Sequence, residues 1–114
     1  MTLQRRAAVA ALAALGLGTG VTARADEPLT YGVTLRAGRI EPARLEVPAG
    51  RRIKFVVRNE GPGPCEFENL ELRVEKVLAP GASSFVVIAP LRPGSYRFID
   101  EFHPDTGRLD VIAK

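Results

Sequence analysis

Short turns rich in proline and glycine divide this chain into segments that suit β-strands and are too short for most helices. Within the segments apolar and polar residues alternate, so that Ile53, Phe55 and Val57 share one face of 51–58. The turns between segments are Pro48-Ala49-Gly50, Gly61-Pro62-Gly63-Pro64, Pro80-Gly81 and Pro93-Gly94. This punctuation predicts an all-β protein.

The lengths and spacing of the segments predict a sandwich. Seven or eight strands are expected, drawn from 29–36, 44–47, 51–58, 65–69, 72–78, 84–88, 95–99 and 108–113. The segment 84–88 is β-branched and aromatic, which is typical of a buried strand. Each half-apolar strand must cover its apolar face against a second sheet. We therefore predict a Greek-key β-sandwich that forms one domain over 26–114.

The first 25 residues have the composition of a secretory signal peptide. Arg5 and Arg6 make a basic start, 7–21 is apolar, and Ala23-Arg24-Ala25 is a small-x-small cleavage site. The apolar stretch is short for a spanning helix, and an N-terminal membrane anchor is the alternative interpretation. We expect export and cleavage before Asp26, which leaves 89 of the 114 residues.

Charge and motifs exclude several functions. Three of the 16 lysines and arginines lie in the leader, so 13 remain against 13 acidic residues, and the basic residues are scattered. We expect no nucleic-acid partner. The glycines mark turns and form no phosphate-binding loop, and no base accompanies Ser83, Ser84 or Cys65. No small-molecule substrate is indicated.

Cys65 is the single cysteine, so it cannot form a disulfide within its own chain. Three interpretations stay open: a buried, inert thiol, a soft metal ligand, or an intermolecular disulfide.

Potential metal ligands occur at three points in the chain, and their number limits the type of site. They are Glu66 and Glu68, then Glu75, then Glu101 and His103, with Cys65 as a further candidate. A type-1 copper centre needs two histidines, a cysteine and a weak axial methionine. Because the chain has one histidine and its single methionine is Met1, we expect no type-1 copper centre. Carboxylates with one imidazole suit Fe(II), Mn(II), Zn(II) or Cu(II).

Glu66 and Glu68 are predicted to project from the same face of a strand, because Phe67 between them faces the core. A solvated acidic face is one interpretation. The other is a metal site, because clustered carboxylates repel one another unless a cation neutralises them.

Three segments of the chain resemble a known family in their order and spacing. They read N-E-G-P-G-P-C-E-F-E, V-E-K-V-L-A-P-G and P-L-R-P-G-S-Y-R-F-I-D-E-F-H-P-D-T-G-R-L-D-V. They are similar to the cupredoxin-like domain of bacterial periplasmic iron-uptake proteins. The resemblance extends to EfeO-type proteins and is closer to the stand-alone FtrB-type component of ferrous-iron transporters. It covers 31–114.

The resemblance implies a cupredoxin-like sandwich in the periplasm that handles iron, copper or both. Its implied partners are an inner-membrane iron permease and other periplasmic iron-uptake components. Carried over by position, acidic metal-site residues match Glu66, Glu68 and Glu75, and ligands of the C-terminal loop match Glu101 and His103.

The chain also departs from the family. The EfeO-type domain has cysteines at the position of Ile40 and near Asp100–Glu101, where this chain has none. This difference counts against copper more than against iron.

These observations predict a metal-binding protein that assists ferrous-iron uptake. Binding, transfer and oxidation of Fe(II) are all compatible with the resemblance, so enzymatic turnover stays open. The rival hypothesis is a metal-free β-sandwich adaptor that acts through its surface.

Overall fold

The computed structural model describes residues 27–114, which form nine β-strands and no helix. The strands are β1 Leu29–Arg36, β2 Arg39–Glu41, β3 Arg44–Val47, β4 Ile53–Asn59, β5 Cys65–Asn69, β6 Val74–Leu78, β7 Ser83–Ile88, β8 Gly94–Asp100 and β9 Arg108–Ala113. The predicted strands are all present, with ends shifted by at most two residues. The three-residue strand β2 was not predicted, because it is too short to show an alternating pattern.

The strands form two mixed sheets, which confirms the predicted all-β sandwich. One sheet has the order β2-β1-β4-β7 and the other β3-β9-β8-β5-β6. β1 pairs with β4 and β3 with β9 in parallel, whereas the other pairs are antiparallel. Strands adjacent in sequence therefore lie in different sheets at several points, so the sheets are joined by crossovers as well as by hairpins.

The core lies between the sheets and is built around three phenylalanines. Phe55 of the first sheet makes edge-to-face contacts with Phe67 and Phe98 of the second, at ring-centroid distances of 6.2 Å and 5.5 Å. Phe67 and Phe98 are stacked, with centroids 5.1 Å apart. All three are fully buried. Because Phe67 is fixed in the core, its neighbours Glu66 and Glu68 must face the other side of β5.

The prediction that 84–88 is a buried strand was wrong for one of its faces. β7 is at the edge of its sheet, and only Val86 and Ile88 are buried. Phe85 and Val87 are exposed on the outer face, where Lys54 lies 4.5 Å from the Phe85 ring. Residue type alone misled here, since β-branched and aromatic residues fit a half-exposed strand as well.

The predicted signal peptide, 1–25, lies outside the described residues. Within residues 27–114, no helix is long and apolar enough to cross a membrane.

Candidate metal site

The register of β5 against β6 brings three of the predicted ligands together. Glu68 pairs directly with Glu75, and Glu66 pairs with Val77. Paired residues on adjacent strands point to the same side of a sheet. The carboxylates of Glu66, Glu68 and Glu75 therefore share the outer face, and one ligand oxygen from each lies within 4.8 Å of the others. These three residues are called the carboxylate cluster below.

The carboxylate cluster takes part in no ion pair among residues 27–114. The ion pairs there involve other acidic residues. Glu68 is only 8% exposed. Its carboxylate oxygens still reach solvent, because residues 27–114 contain no fully buried side-chain oxygen that lacks a hydrogen-bond partner. Burial raises the pKa of Glu68, and the charges of Glu101, Glu66 and Glu75 raise it further. A cation at this point would relieve that repulsion.

Glu101 lies beside the carboxylate cluster but outside it. Its backbone N–H donates to the carbonyl of Glu66 at 2.9 Å, which continues the β5–β8 pairing past the end of β8. Among the neighbouring carboxylates, Glu101 has the largest effect in raising the pKa of Glu68. A fourth carboxylate is thus close to the three that converge.

His103 is not part of the carboxylate cluster. Its Nδ1 lies 2.9 Å from Oδ2 of Asp100, and its ring packs against the turn at Gly38. A Cβ built on Gly38 would be 3.0 Å from two ring carbons of His103. The side chain is about half exposed, and its second nitrogen, Nε2, does not take part in the contact with Asp100. The prediction that His103 and Glu66 share one ion therefore stays a prediction.

Asp100 connects His103 to the strand of the carboxylate cluster, and sequence reasoning missed it. It is 1% exposed. Its Oδ1 accepts the backbone N–H groups of Glu66 and Phe102, each at 3.0 Å. The signal was present in the alternation of β8, where Phe98 faces inward and Asp100 must follow it. A carboxylate on a core-facing strand position implies specific hydrogen-bond donors.

A cavity of about 370 Å³ has a lining that does not include the carboxylate cluster. Its wall includes the loop Gly61-Pro62-Gly63-Pro64 and the residues Cys65, Asp100 and His103. Buried Asn59 shapes this loop. Its amide donates to the carbonyls of Gly63 and Leu78, and its Oδ1 accepts the N–H of Gly61.

The structure favours the inert interpretation of Cys65. The side chain faces inward from β5 and is 3% exposed. Burial raises the pKa of its thiol to about 11, with the charge of Asp100 as the second cause. Because the thiolate is the form that binds metals and exchanges disulfides, a protonated buried thiol is poorly suited to either task.

Comparison with known proteins identifies the family of this chain. The family model of the cupredoxin-like domain matches residues 7–112. The chain belongs to the cupredoxin-like domain family. It is also 32% identical over 88 residues to the uncharacterized protein RP394 of Rickettsia prowazekii (strain Madrid E), an alignment that covers 77% of this chain and 70% of that protein.

Solved structures share the fold of this cupredoxin-like domain at low sequence identity. The metal-binding domain of the Cu(I)-exporting ATPase CopA of Streptococcus pneumoniae, solved with Cu(I), has a TM-score of 0.66 at 13% identity, covering 75% of this chain and 84% of that one. Auracyanin of Roseiflexus castenholzii gives 0.62 at 12%, covering 77% and 98%. The periplasmic domain of cytochrome oxidase subunit II of Bradyrhizobium japonicum gives 0.63 at 12%, covering 75% and 83%.

The ligand chemistry of this cupredoxin-like domain differs from that of a blue-copper centre. The chain has one histidine, and its one cysteine, Cys65, is buried. The three groups that converge are carboxylates, which are hard oxygen ligands. This arrangement can neutralise a divalent or trivalent cation on the sheet surface.

Proposed function

We propose that this protein is a periplasmic metal-binding protein of the cupredoxin-like family that assists ferrous-iron uptake. Glu66, Glu68 and Glu75 hold the ion on the outer face of the five-stranded sheet. Glu101 and His103 are additional ligands from the loop after β8. This loop is held beside β5, because the N–H of Glu101 donates to the carbonyl of Glu66 and the N–H of Glu66 donates to Asp100 at the end of β8.

The observation that carries the proposal is the state of Glu68. Its side chain is nine-tenths buried, lacks an ion-pair partner within 27–114, and converges with two other carboxylates. A solvated acidic face has no reason to place a carboxylate in this position, because burial and like charges both disfavour its ionised form. A bound cation supplies the missing compensation.

Iron is proposed over copper on the basis of the ligands. Carboxylates with at most one imidazole favour hard or borderline ions, whereas Cu(I) favours thiolate and thioether sulfur. The family resemblance of the segments around Glu66, Glu75 and His103 supports iron uptake. Copper stays a second candidate because relatives of this fold include a domain solved with Cu(I).

The setting of the proposed function is the periplasm. A signal peptide at 1–25 would export the chain, and an inner-membrane iron permease would accept the ion. The rival, a metal-free adaptor, is favoured by the exposed apolar residues Phe85, Val87 and Val56 on the opposite sheet, which could contact another protein.

Anaerobic titration calorimetry of residues 26–114 with Fe(II) tests the proposal against this rival. We expect saturable one-site binding that Glu68→Gln and Glu75→Gln weaken by at least about tenfold each. The matched control is Glu71→Gln, which removes an exposed carboxylate outside the carboxylate cluster and is expected to bind as the parent does. Absence of saturable binding by the parent would favour the adaptor.

Copper is tested separately. Reconstitution with Cu(II) is expected to give no intense blue thiolate-to-copper absorption, because the second histidine and axial methionine are missing. Appearance of that band would show that Cys65 is a ligand and that the ligand count was the wrong guide.

A further inference from the structure

The hydrogen bonds of Asp100 determine which nitrogen of His103 carries a proton. An ionised carboxylate only accepts hydrogen bonds. Oδ1 of Asp100 already accepts two backbone N–H groups, and Oδ2 lies 2.9 Å from Nδ1 of His103. Nδ1 must then be the donor. In the neutral imidazole the lone pair is therefore on Nε2, which is the ring nitrogen that does not contact Asp100.

The loop that carries His103 is held in place from two directions. Thr106 Oγ1 donates to the carbonyl of Gly38 at 2.6 Å, and the N–H of Gly107 donates to the carbonyl of His103 at 2.8 Å. Gly38 has a φ of +75°, and its missing Cβ leaves room for the imidazole. The ring is thus confined between Gly38 and Asp100, and its direction is set before any ion arrives.

We propose that Asp100 is a positioning residue for metal binding, which fixes His103 as the Nδ1–H tautomer and so presents the Nε2 lone pair to an ion. The same carboxylate holds the backbone of Glu66, so it connects the imidazole to the strand of the carboxylate cluster. Metal-ligating histidines commonly donate their second N–H to a carboxylate, and loss of that partner weakens metal binding. This inference rests on the proposed function, because it assumes that His103 is a ligand.

The tautomer can be measured without any metal. Because the chain has one histidine, the ring signals of tag-free, ¹⁵N-labelled protein need no assignment by mutation. Long-range ¹H–¹⁵N spectra of the neutral imidazole are expected to show a protonated Nδ1 and an unprotonated Nε2. A predominant Nε2–H form, or a mixture of the two tautomers, would overturn the proposal.

Asp100→Asn tests the positioning role directly. The amide keeps an oxygen for Glu66 and Phe102 but presents an NH₂ donor to His103, so the imidazole should change to the Nε2–H tautomer. We expect Zn(II), titrated as a diamagnetic probe, to shift the Nε2 resonance of the parent and to bind Asp100→Asn about 10–100-fold more weakly. The matched control is Asp105→Asn, which removes one carboxylate from the exposed part of the same loop and should leave both readouts unchanged.

The outcomes separate this inference from the proposed function. Zn(II) binding that is weakened by Glu68→Gln and unaffected by Asp100→Asn would overturn the positioning role and leave the carboxylate cluster in place. Zn(II) binding that responds to neither variant would contradict the proposed function, whereas the metal-free spectra still report on Asp100. If Asp100→Asn does not fold, the metal-free spectra of the parent decide the proposal, because they report the tautomer of His103 without any substitution.

Discussion

Glu68 is the most buried member of the carboxylate cluster and is surrounded by other acidic residues. Its carboxylate faces Glu75 directly across the β5–β6 pair and has two further acidic neighbours, Glu66 and Glu101. Like charges directly opposite one another destabilise a sheet. In the metal-free protein Glu68 is therefore expected to oppose folding, and in the metal-bound protein it is expected to favour it.

Glu68→Gln should stabilise the metal-free domain at neutral pH by on the order of 0.5 kcal/mol, because it removes a like charge from a cross-strand pair. The pKa of Glu68 is raised in the folded protein, so the folded state binds this proton more tightly than the unfolded state does. The advantage of Gln should therefore disappear as the pH falls through the folded-state pKa. Urea unfolding at several pH values checks this, and a less stable Gln variant at neutral pH would contradict it.

Metal affinity should decrease as the pH falls from about 7 toward about 5, because carboxylates and imidazole must lose their protons to coordinate an ion. The raised pKa of Glu68 makes protons compete at a higher pH than they would for an ordinary glutamate. Titrations in non-chelating buffers measure the dependence. A one-site affinity that is flat over this range would show that neither the carboxylate cluster nor His103 holds the ion.

At the scale of single residues, the sequence identified candidate metal-ligating side chains but did not show which of them lie together. Alternation around Phe67 placed Glu66 and Glu68 on one face, as the structure confirms. It could not place His103 outside the carboxylate cluster, because loop direction depends on contacts such as that with Gly38, which is remote in sequence. The alternation of β8 predicts that Asp100 faces inward, but it does not show that the donors to its carboxylate come from β5 and from the loop after β8.

At the scale of strands, β5 combines two tasks. Its inward residues Cys65 and Phe67 are in the core, whereas Glu66 and Glu68 form the outer carboxylate face. Strand positions were predictable from turns and alternation, but pairing was not. The parallel pairs β1–β4 and β3–β9 join segments that the local sequence gives no reason to match.

Two phenylalanines on strands provide a matched test of this division between faces. Phe67→Ala should lower the free energy of unfolding by about 3–5 kcal/mol, because it removes a fully buried ring stacked on Phe98. Phe85→Ala should cost about 1 kcal/mol or less, since it loses an exposed ring and one cation–π contact with Lys54. Urea unfolding compares them, and equal losses would contradict the assigned faces.

At the scale of the whole molecule, the two sheets present different outer surfaces. The outer face of the five-stranded sheet has the carboxylate cluster. The outer face of the four-stranded sheet has the exposed apolar residues Phe85, Val87 and Val56, with Lys54 nearby. The fold class was predictable because turn spacing fixes strand number. The difference between the acidic and the apolar outer face could not be predicted, because it depends on which strands become neighbours.

Export is the prediction that concerns the complete chain. The protein recovered from a periplasmic fraction should begin at Asp26, because Ala23-Arg24-Ala25 matches a signal-peptidase site. Intact-mass spectrometry gives the answer directly. Retention of residues 1–25 on the isolated protein would favour the N-terminal anchor instead.

The position of the bound ion can be located by anomalous diffraction from crystals of residues 26–114 grown with Fe(II) without oxygen, or with Mn(II). We expect one dominant anomalous peak on the outer face of β5 and β6, at about 2.0–2.3 Å from carboxylate oxygens of Glu66, Glu68 and Glu75. A dominant peak in the cavity beside Cys65, or no ordered peak near Glu68 at saturating metal, would contradict this expectation.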